Sequence, residues 1–314
     1  MRHALRLEEL VVGRRVVVRH RLPDGSAADA LGELVAADGE RLVVATRRGE
    51  VVVARADVLA AKGVPPAPPR RRPRISADAL ELVAAEHWRP LEREDLGAWR
   101  LRAAGGFTGR ANSALAVGDP GQPLDAALER VRGFYAARGL EAVVAAPTGD
   151  LTEQLEGRGW TVRTPSLVMT AEVPPAEGVD PGVLLADEPD DAWLAAYQGR
   201  GPVGPVGRRV LLSADAQVFA SLRDDDGAVR AVARGSLSRG PEGTWLGLAA
   251  VETAPAHRRR GLASRVTASL LGWGAQRGAR AAFLQVAASN SAARDLYERA
   301  GFTVHHEYRY LVAP

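Results

Sequence analysis

An arginine- and glycine-rich loop lies between a strongly apolar segment and a long helical pattern. It consists of Arg258, Arg259, Arg260, Gly261, Leu262, Ala263 and Ser264. Consecutive backbone N–H groups that lead into a helix N-terminus form a natural site for phosphate groups. Gly261 allows close backbone approach, the Ser264 hydroxyl can donate a hydrogen bond, and the arginines supply positive charge. The loop therefore predicts a pyrophosphate-binding cradle.

The elements around this loop occur twice in the chain. Residues 142–162 and 283–304 each contain an apolar strand, an amphipathic helix and a second strand that begins near a glycine and an aromatic residue. A further helix precedes each copy, and each of these helices ends at a glycine suited to a left-handed cap, Gly139 or Gly278. The repeat predicts two α/β units, 75–175 and 180–314.

Three motifs in the second unit carry a family resemblance. They are Val251-x-x-x-Pro255, then Arg258-x-x-Gly261-x-Ala263, then Asn290-x-x-Ala293-x-x-Leu296-Tyr297-x-x-x-Gly301-Phe302. In this order and spacing they resemble the GNAT (GCN5-related N-acetyltransferase) family. The resemblance is specific over residues 180–314 and extends to residues 75–175 only in outline. It implies an α/β (α+β) fold with tandem GNAT folds, and acetyl-CoA as co-substrate, with no metal.

The resemblance also implies roles for individual residues. The backbone at Val251 would pair with the pantetheine arm and polarise the acetyl carbonyl, and Asn290 would hydrogen-bond that arm. Tyr297 would protonate the departing thiolate as general acid; the alternative is a packed helix aromatic. Glu252 is a candidate general base or a solvated residue at the entry to the loop.

The first unit lacks the chemical groups of the second. Leu155 stands where the second unit has Tyr297, and Thr148 stands where it has Asn290. The loop 118–123 contains an aspartate and two prolines in place of the arginines, which disfavours phosphate binding. We therefore expect residues 75–175 to form a degenerate GNAT-like unit. Its segment 107–113 is interpreted as surface structure in preference to a substrate contact.

The N-terminal residues 1–62 predict a small SH3-like β-barrel, because short strands alternate with turns about every ten residues. Residues 63–74 are rich in proline and arginine and predict an extended linker. Lys62 is the single lysine among 41 basic residues, and the formal net charge is only +3. Acids and bases are interspersed, which argues against nucleic acid as a partner.

The chain contains no cysteine, which excludes disulfides and thiol nucleophiles. No apolar run is long enough for a membrane span, and no signal-peptide pattern begins the sequence, so we expect a cytoplasmic protein without membrane partners. The order of barrel and tandem units resembles bacterial N-acetylglutamate-synthase-like acetyltransferases. This implies a small-molecule amine acceptor, such as the amino acid glutamate. A protein lysine acceptor and a non-catalytic acyl-CoA-binding sensor or scaffold are the alternatives.

Overall fold

The computed structural model describes residues 10–46, 49–64, 73–174, 178–197, 202–241 and 243–314. The chain divides into two compact units, Met1–Pro69 and Arg70–Pro314. Most of the predicted linker, at residues 65–72, lies outside the described residues. None of the described helices has the length and apolar character that crossing a membrane requires.

The N-terminal unit is a five-stranded antiparallel sheet. Its strands are β1 (Arg15–Arg21), β2 (Ala27–Ala37), β3 (Arg41–Thr46), β4 (Gly49–Ala54) and β5 (Val58–Gly63), in the order β4-β3-β2-β1-β5. Apolar residues alternate along the strands, and their inward side chains, among them Val16, Leu34 and Leu42, are fully buried. The predicted small β domain is confirmed.

The described residues of the second unit form one mixed sheet and seven α-helices. Its strands are β6 (Glu92–Leu96), β7 (Trp99–Ala103), β8 (Ala114–Leu115), β9 (Val143–Pro147), β10 (Thr161–Glu172), β11 (Val183–Ala186), β12 (Ala216–Arg223), β13 (Val229–Gly240), β14 (Gly243–Thr253), β15 (Ala279–Ala287) and β16 (Thr303–Val312). Its helices are α1 (Ala77–His87), α2 (Leu124–Ala136), α3 (Asp150–Glu156), α4 (Asp191–Ala196), α5 (Pro205–Leu211), α6 (Leu262–Gln276) and α7 (Ser291–Arg299). The predicted alternation of strands and helices is confirmed.

The sheet continues through both predicted halves and exchanges strands between them. Its order is β11-β12-β13-β14-β15-β10-β16-β9-β8-β7-β6. β10 ends the first half in sequence, yet it lies between β15 and β16 and is antiparallel to both. β16 in turn pairs with β9 of the first half. The final strand of each half therefore lies beside strands of the other half.

The two faces of the C-terminal strands carry different cores. On one face, α6 packs its buried Val266 and Leu270 with Ala231 and Leu246 of the sheet. On the other face lie the aromatic side chains of a second core, Trp88, Trp193, Tyr197 and Phe219. The site described below therefore has two sides, one on each face of the sheet.

The predicted glycine caps are confirmed, since Gly139 after α2 and Gly278 after α6 both have positive φ angles.

The packing around Gly247 of β14 leaves no room for a larger side chain. A Cβ atom at this position would lie 2.5 Å from Nδ1 of His87 and 2.9 Å from Phe283, both buried. We expect Gly247→Ala to lower the free energy of unfolding by about 1–3 kcal/mol, as overpacked core substitutions do. Urea denaturation measures the free energy of unfolding of each variant. Gly133→Ala is the control: its site on α2 is exposed and open, so stability should rise by about 1 kcal/mol.

Candidate functional site

The site is organised by a divergence of two parallel strands, β14 and β15. They pair from Thr244 with Ala279 to Leu248 with Leu284, and no pairing between them continues beyond that point. β15 pairs with β10 through its other edge, where Val168 lies opposite Gln285. The edge of β14 that faces β15 is therefore open from Ala249 onward. Backbone groups along this edge are available to a ligand inserted between the strands.

A β-bulge lies in β14 at the point of divergence. Val232 of β13 pairs with Glu252, and Arg234 pairs with Ala249, so that Ala250 and Val251 together face one residue of β13. Ala250 has a φ of 54°, which is unusual for a residue other than glycine. The extra residue shifts the alternation of side chains along the strand.

Beyond the bulge, neighbouring side chains lie on opposite faces of the sheet, as strand alternation requires. Val251 packs against the core beneath α6, whereas Glu252 lines a cavity of about 390 Å³ beside α4, together with Arg258. Ala249 and Ala250 lie against the aromatic core on the α4 side. The end of β14 thus contributes to both sides of the sheet.

The predicted phosphate cradle forms the connection from β14 to α6. After a 3₁₀ turn at Pro255–His257, Arg259 has a φ of 59° and Gly261 has a φ of 76°. Gly261 is the N-cap of α6 and provides no side-chain cap. The first N–H groups of a helix have no intrahelical acceptor, so those at Leu262–Ser264 point outward for a ligand. Residues 258–261 and 264 are exposed.

Of the arginines near the N-terminus of α6, some form ion pairs with described residues and others do not. Arg265 in the first turn forms an ion pair with Asp180 at 2.7 Å, while Nε of Arg258 donates to the carbonyl oxygen of Thr253 at 3.3 Å. Arg259 and Arg260 form no ion pair with any residue that the structure describes. Positive charge therefore remains at the helix N-terminus, where the helix dipole also favours an anion.

Asn290 and Tyr297 are both positioned by α7. The side-chain Oδ1 of Asn290 accepts the N–H of Ala293 at 3.1 Å and caps the helix, which leaves its Nδ2 group for other contacts. Tyr297 is buried in the core that also contains Val251, and its ring meets Phe302 edge-on at 6.0 Å. Burial raises the pKa of the Tyr297 phenol to about 12, so it stays protonated at neutral pH.

On the opposite face, a cavity of about 300 Å³ opens at the same divergence. Its floor consists of Leu248–Ala250 from β14 and Gln285–Ala287 from β15. The other lining residues are Trp88, Thr108, Gly109, Arg110, Arg163, Ser166, Tyr197 and Tyr310. Both halves of the unit and both exchanged strands therefore contribute to this cavity.

One wall of this cavity comes from the first half. The segment 107–113 is predicted as surface structure in preference to a substrate contact, but Thr108, Gly109 and Arg110 line the cavity. Trp88, Tyr197 and Gln285 were not among the predicted site residues. The abundance of hydrogen-bonding groups beside an aromatic residue in 107–113 was the signal that could have found this wall.

The first half holds no equivalent cradle. The corresponding loop, residues 118–123, is occupied by the turn between β6 and β7. The N–H of Ala98 donates to the carbonyl oxygen of Asp119 at 2.7 Å, and Nε1 of Trp99 donates to the carbonyl oxygen of Gly118 at 3.0 Å. A Cβ at Gly97 would lie 2.3 Å from the backbone of Pro120. The loop is thus closed by its own neighbours.

Comparison with known proteins now assigns the family. Residues 76–311 match the protein-family model described as "Probable histone acetyltransferase Rv0428c C-terminal". The chain belongs to this family. Residues 10–62 match the model described as "Rv0428c N-terminal Sm-like domain", which agrees with the small β domain of the N-terminal unit.

Individual relatives agree with this assignment. The chain is 34% identical over 313 residues to "Probable histone acetyltransferase Rv0428c" of Mycobacterium tuberculosis, covering 96% of this chain and 95% of the relative. A GCN5-related N-acetyltransferase from Kribbella flavida has a TM-score of 0.58 at 20% identity, covering 76% of this chain and 95% of that one. A tandem GNAT protein from the clavulanic acid biosynthesis pathway has a TM-score of 0.51 at 12% identity, covering 78% and 89%. The protein is an acetyltransferase with the GNAT fold.

Proposed function

We propose that this protein transfers the acetyl group of acetyl-CoA to a primary amine by direct attack of the amine on the thioester. Acetyl-CoA would bind on the α6 side of the sheet, and the acceptor would enter from the opposite side. The observation that carries this proposal is the divergence of β14 and β15, with an N–H-lined helix start on one face and a cavity on the other.

The cradle residues suit a pyrophosphate. The open first turn of α6 offers backbone donors at Leu262, Ala263 and Ser264. Arg259 and Arg260, which form no ion pair within the described part of the chain, add charge. Arg258, Gly261 and the Ser264 hydroxyl complete the set. The thioester arm would then follow the open edge of β14 past Val251, within reach of Nδ2 of Asn290.

The bulge supports stabilisation of the reacting carbonyl. Attack by the amine forms a C–N bond and breaks the C–S bond, and negative charge develops on the carbonyl oxygen. A backbone N–H at Ala250 or Val251, fixed by the bulge, would stabilise that charge. The buried Tyr297 phenol would give its proton to the departing thiolate. Glu252 lines the cavity beside α4 and not the 300 Å³ cavity, so as the candidate base it would take the proton from the amine through an intervening water.

Two acceptor classes fit the activity. A free amino acid such as glutamate suits the size of the 300 Å³ cavity, which is enclosed by residues from both halves. A lysine side chain of a protein is the second candidate, because the Mycobacterium tuberculosis relative is named a histone acetyltransferase.

The proposal is tested by turnover with purified full-length protein. Coenzyme A release is measured with acetyl-CoA and a panel of free amino acids, polyamines and lysine peptides, and products are identified by mass spectrometry. Amine-dependent release with an N-acetylated product is expected. Binding of acetyl-CoA without acetylation of any amine would contradict the proposal.

Gly261→Ala tests the cradle. An alanine in this left-handed conformation costs about 1–2 kcal/mol or shifts the loop, and either effect should weaken acetyl-CoA binding about tenfold in calorimetric titration. Gly278→Ala is the matched control, because Gly278 has a similar φ of 81°, equally open space and a place at the other end of α6. It should lose similar stability with unchanged binding. If both variants weaken acetyl-CoA binding equally, the loop at Gly261 does not bind acetyl-CoA.

Tyr297→Phe tests the general acid. We expect kcat to fall about 100-fold, because proton transfer to the thiolate is lost, while the Kd for acetyl-CoA changes less than about twofold. The control is Tyr135→Phe, another buried tyrosine, whose hydroxyl donates to the carbonyl oxygen of Arg102 in the first half. It should leave kcat unchanged. If Tyr297→Phe reduces binding and kcat equally, the ring is structural.

A further inference from the structure

The acceptor-side cavity has an excess of positive charge. Two arginines, Arg110 and Arg163, lie in its wall, and none of the described residues that line it is acidic. Arg163 is neutralised by an ion pair with Glu141. Arg110 forms no ion pair with any carboxylate among the described residues. The cavity wall thus contains one guanidinium whose charge the protein does not balance by direct contact.

Arg110 is held in a fixed orientation by a chain of half-buried and buried side chains. Its Nε donates to Oε1 of Gln285 at 2.9 Å, and Nε2 of Gln285 lies 3.4 Å from a carboxylate oxygen of Glu81. Glu81 is buried and also contacts Nε2 of His306 at 3.1 Å. Since arginine only donates and a carboxylate only accepts, the Gln285 amide has one orientation that satisfies both neighbours. The terminal N–H groups of Arg110 remain for a ligand.

A third arginine, Arg234, adds charge behind the cavity wall. Arg234 is fully buried, its Nη2 has no hydrogen-bond partner among the described residues, and its guanidinium lies 5.2 Å from the ring centre of Trp88. The guanidinium of Arg110 lies 5.6 Å from the same ring. Burial, followed by the nearby charge of Arg110, lowers the pKa of Arg234 to about 9, which still leaves it charged at neutral pH. Two cations therefore share one tryptophan, and neither forms an ion pair with a carboxylate that the structure describes.

We infer that Arg110 binds a carboxylate of the acceptor, so that the substrates are amines that also carry a carboxylate group. This inference rests on the proposed acetyl transfer and specifies its substrate class. A planar guanidinium whose Nε is already engaged presents its outer N–H pair to a carboxylate, a geometry that favours two parallel hydrogen bonds. Gln285 and Glu81 act as positioning residues. The floor at Leu248–Ala250 places the bound acceptor beside the divergence of β14 and β15.

The test compares acceptors that differ only in the carboxylate. Values of kcat/KM are measured for L-amino acids, for their α-amides and for a lysine peptide with an amidated C-terminus, using wild-type protein and Arg110→Gln. Wild-type protein should prefer the acids, and Arg110→Gln should lower kcat/KM for the acids about 10- to 100-fold, the range for losing a hydrogen bond to a charged group. The values for the amides should change less than about twofold. Arg110→Lys, which keeps the charge without the planar pair of donors, should retain part of the preference.

A positioning role predicts a distinct result for Gln285→Leu. This variant keeps the Arg110 charge but removes its Nε acceptor, so KM for the acids should rise while kcat stays nearly constant. Arg132→Gln is the matched control, because Arg132 also lies 5.6 Å from a tryptophan ring, that of Trp160, but is paired with Glu129 and does not line the cavity. Its acid-to-amide ratio should equal that of the wild type.

The outcomes separate this inference from the proposed function. If wild-type protein acetylates the amides or the lysine peptide as well as the acids, the carboxylate inference is wrong and the transferase proposal stands. The same conclusion follows if Arg110→Gln lowers kcat/KM equally for the acids and for the amides. If acetyl-CoA binds and no amine is acetylated, the proposed transfer fails and the inference falls with it.

Discussion

The parting of β14 and β15 is the constraint on which the rest of the site depends. Two parallel strands that are paired along their whole length would leave no backbone groups for a ligand, whereas these two separate after Leu248 and Leu284. The bulge at Ala250 lies at this point, and beyond it Val251 and Glu252 lie on opposite faces. One opening in the sheet therefore connects the α6 side, with its helix N-terminus, to the cavity on the other side.

The exchange of strands makes the cavity of about 300 Å³ a shared product of the two halves. β10 pairs with β15 and supplies Arg163 and Ser166 to the cavity. β16 supplies Tyr310 and pairs with β9. The first half has kept the strand and helix framework but closes its own loop with the turn at Gly97. It contributes a wall, through Trp88 and residues 108–110, to a site whose cradle belongs to the second half.

Much of the fold could be predicted from the sequence because its signals are local. The start of α6 after Gly261 and its end before Gly278, and the β character of the N-terminal unit, follow from glycine positions and apolar periodicity, and the structure confirms them. The family motifs likewise lie within short segments. The roles of Tyr297, Asn290 and Glu252 stay predictions, because the capping by Asn290 and the burial of Tyr297 describe positions and not chemistry.

Other features depend on contacts that no local pattern encodes. The bulge has an alanine at its positive φ angle, so the usual glycine signal is missing. The exchange of β10 depends on pairing with strands far along the chain, and Trp88, Arg110 and Gln285 come together only through that pairing. Arginine is so frequent in this sequence that Arg110 could not be distinguished from solvated arginines until its partners were known.

The position of β10 also bears on how the protein acquires its structure during synthesis. Every strand that will flank β10 is translated long after it, since β15 and β16 lie near the C-terminal end of the chain. Until then its apolar Leu167, Val168 and Met169 have no sheet to join, and both of its edges are unpaired. Such an exposed strand is a site for aggregation or for occupation by a chaperone. The sheet of the second unit can therefore close only after β16 has been synthesised.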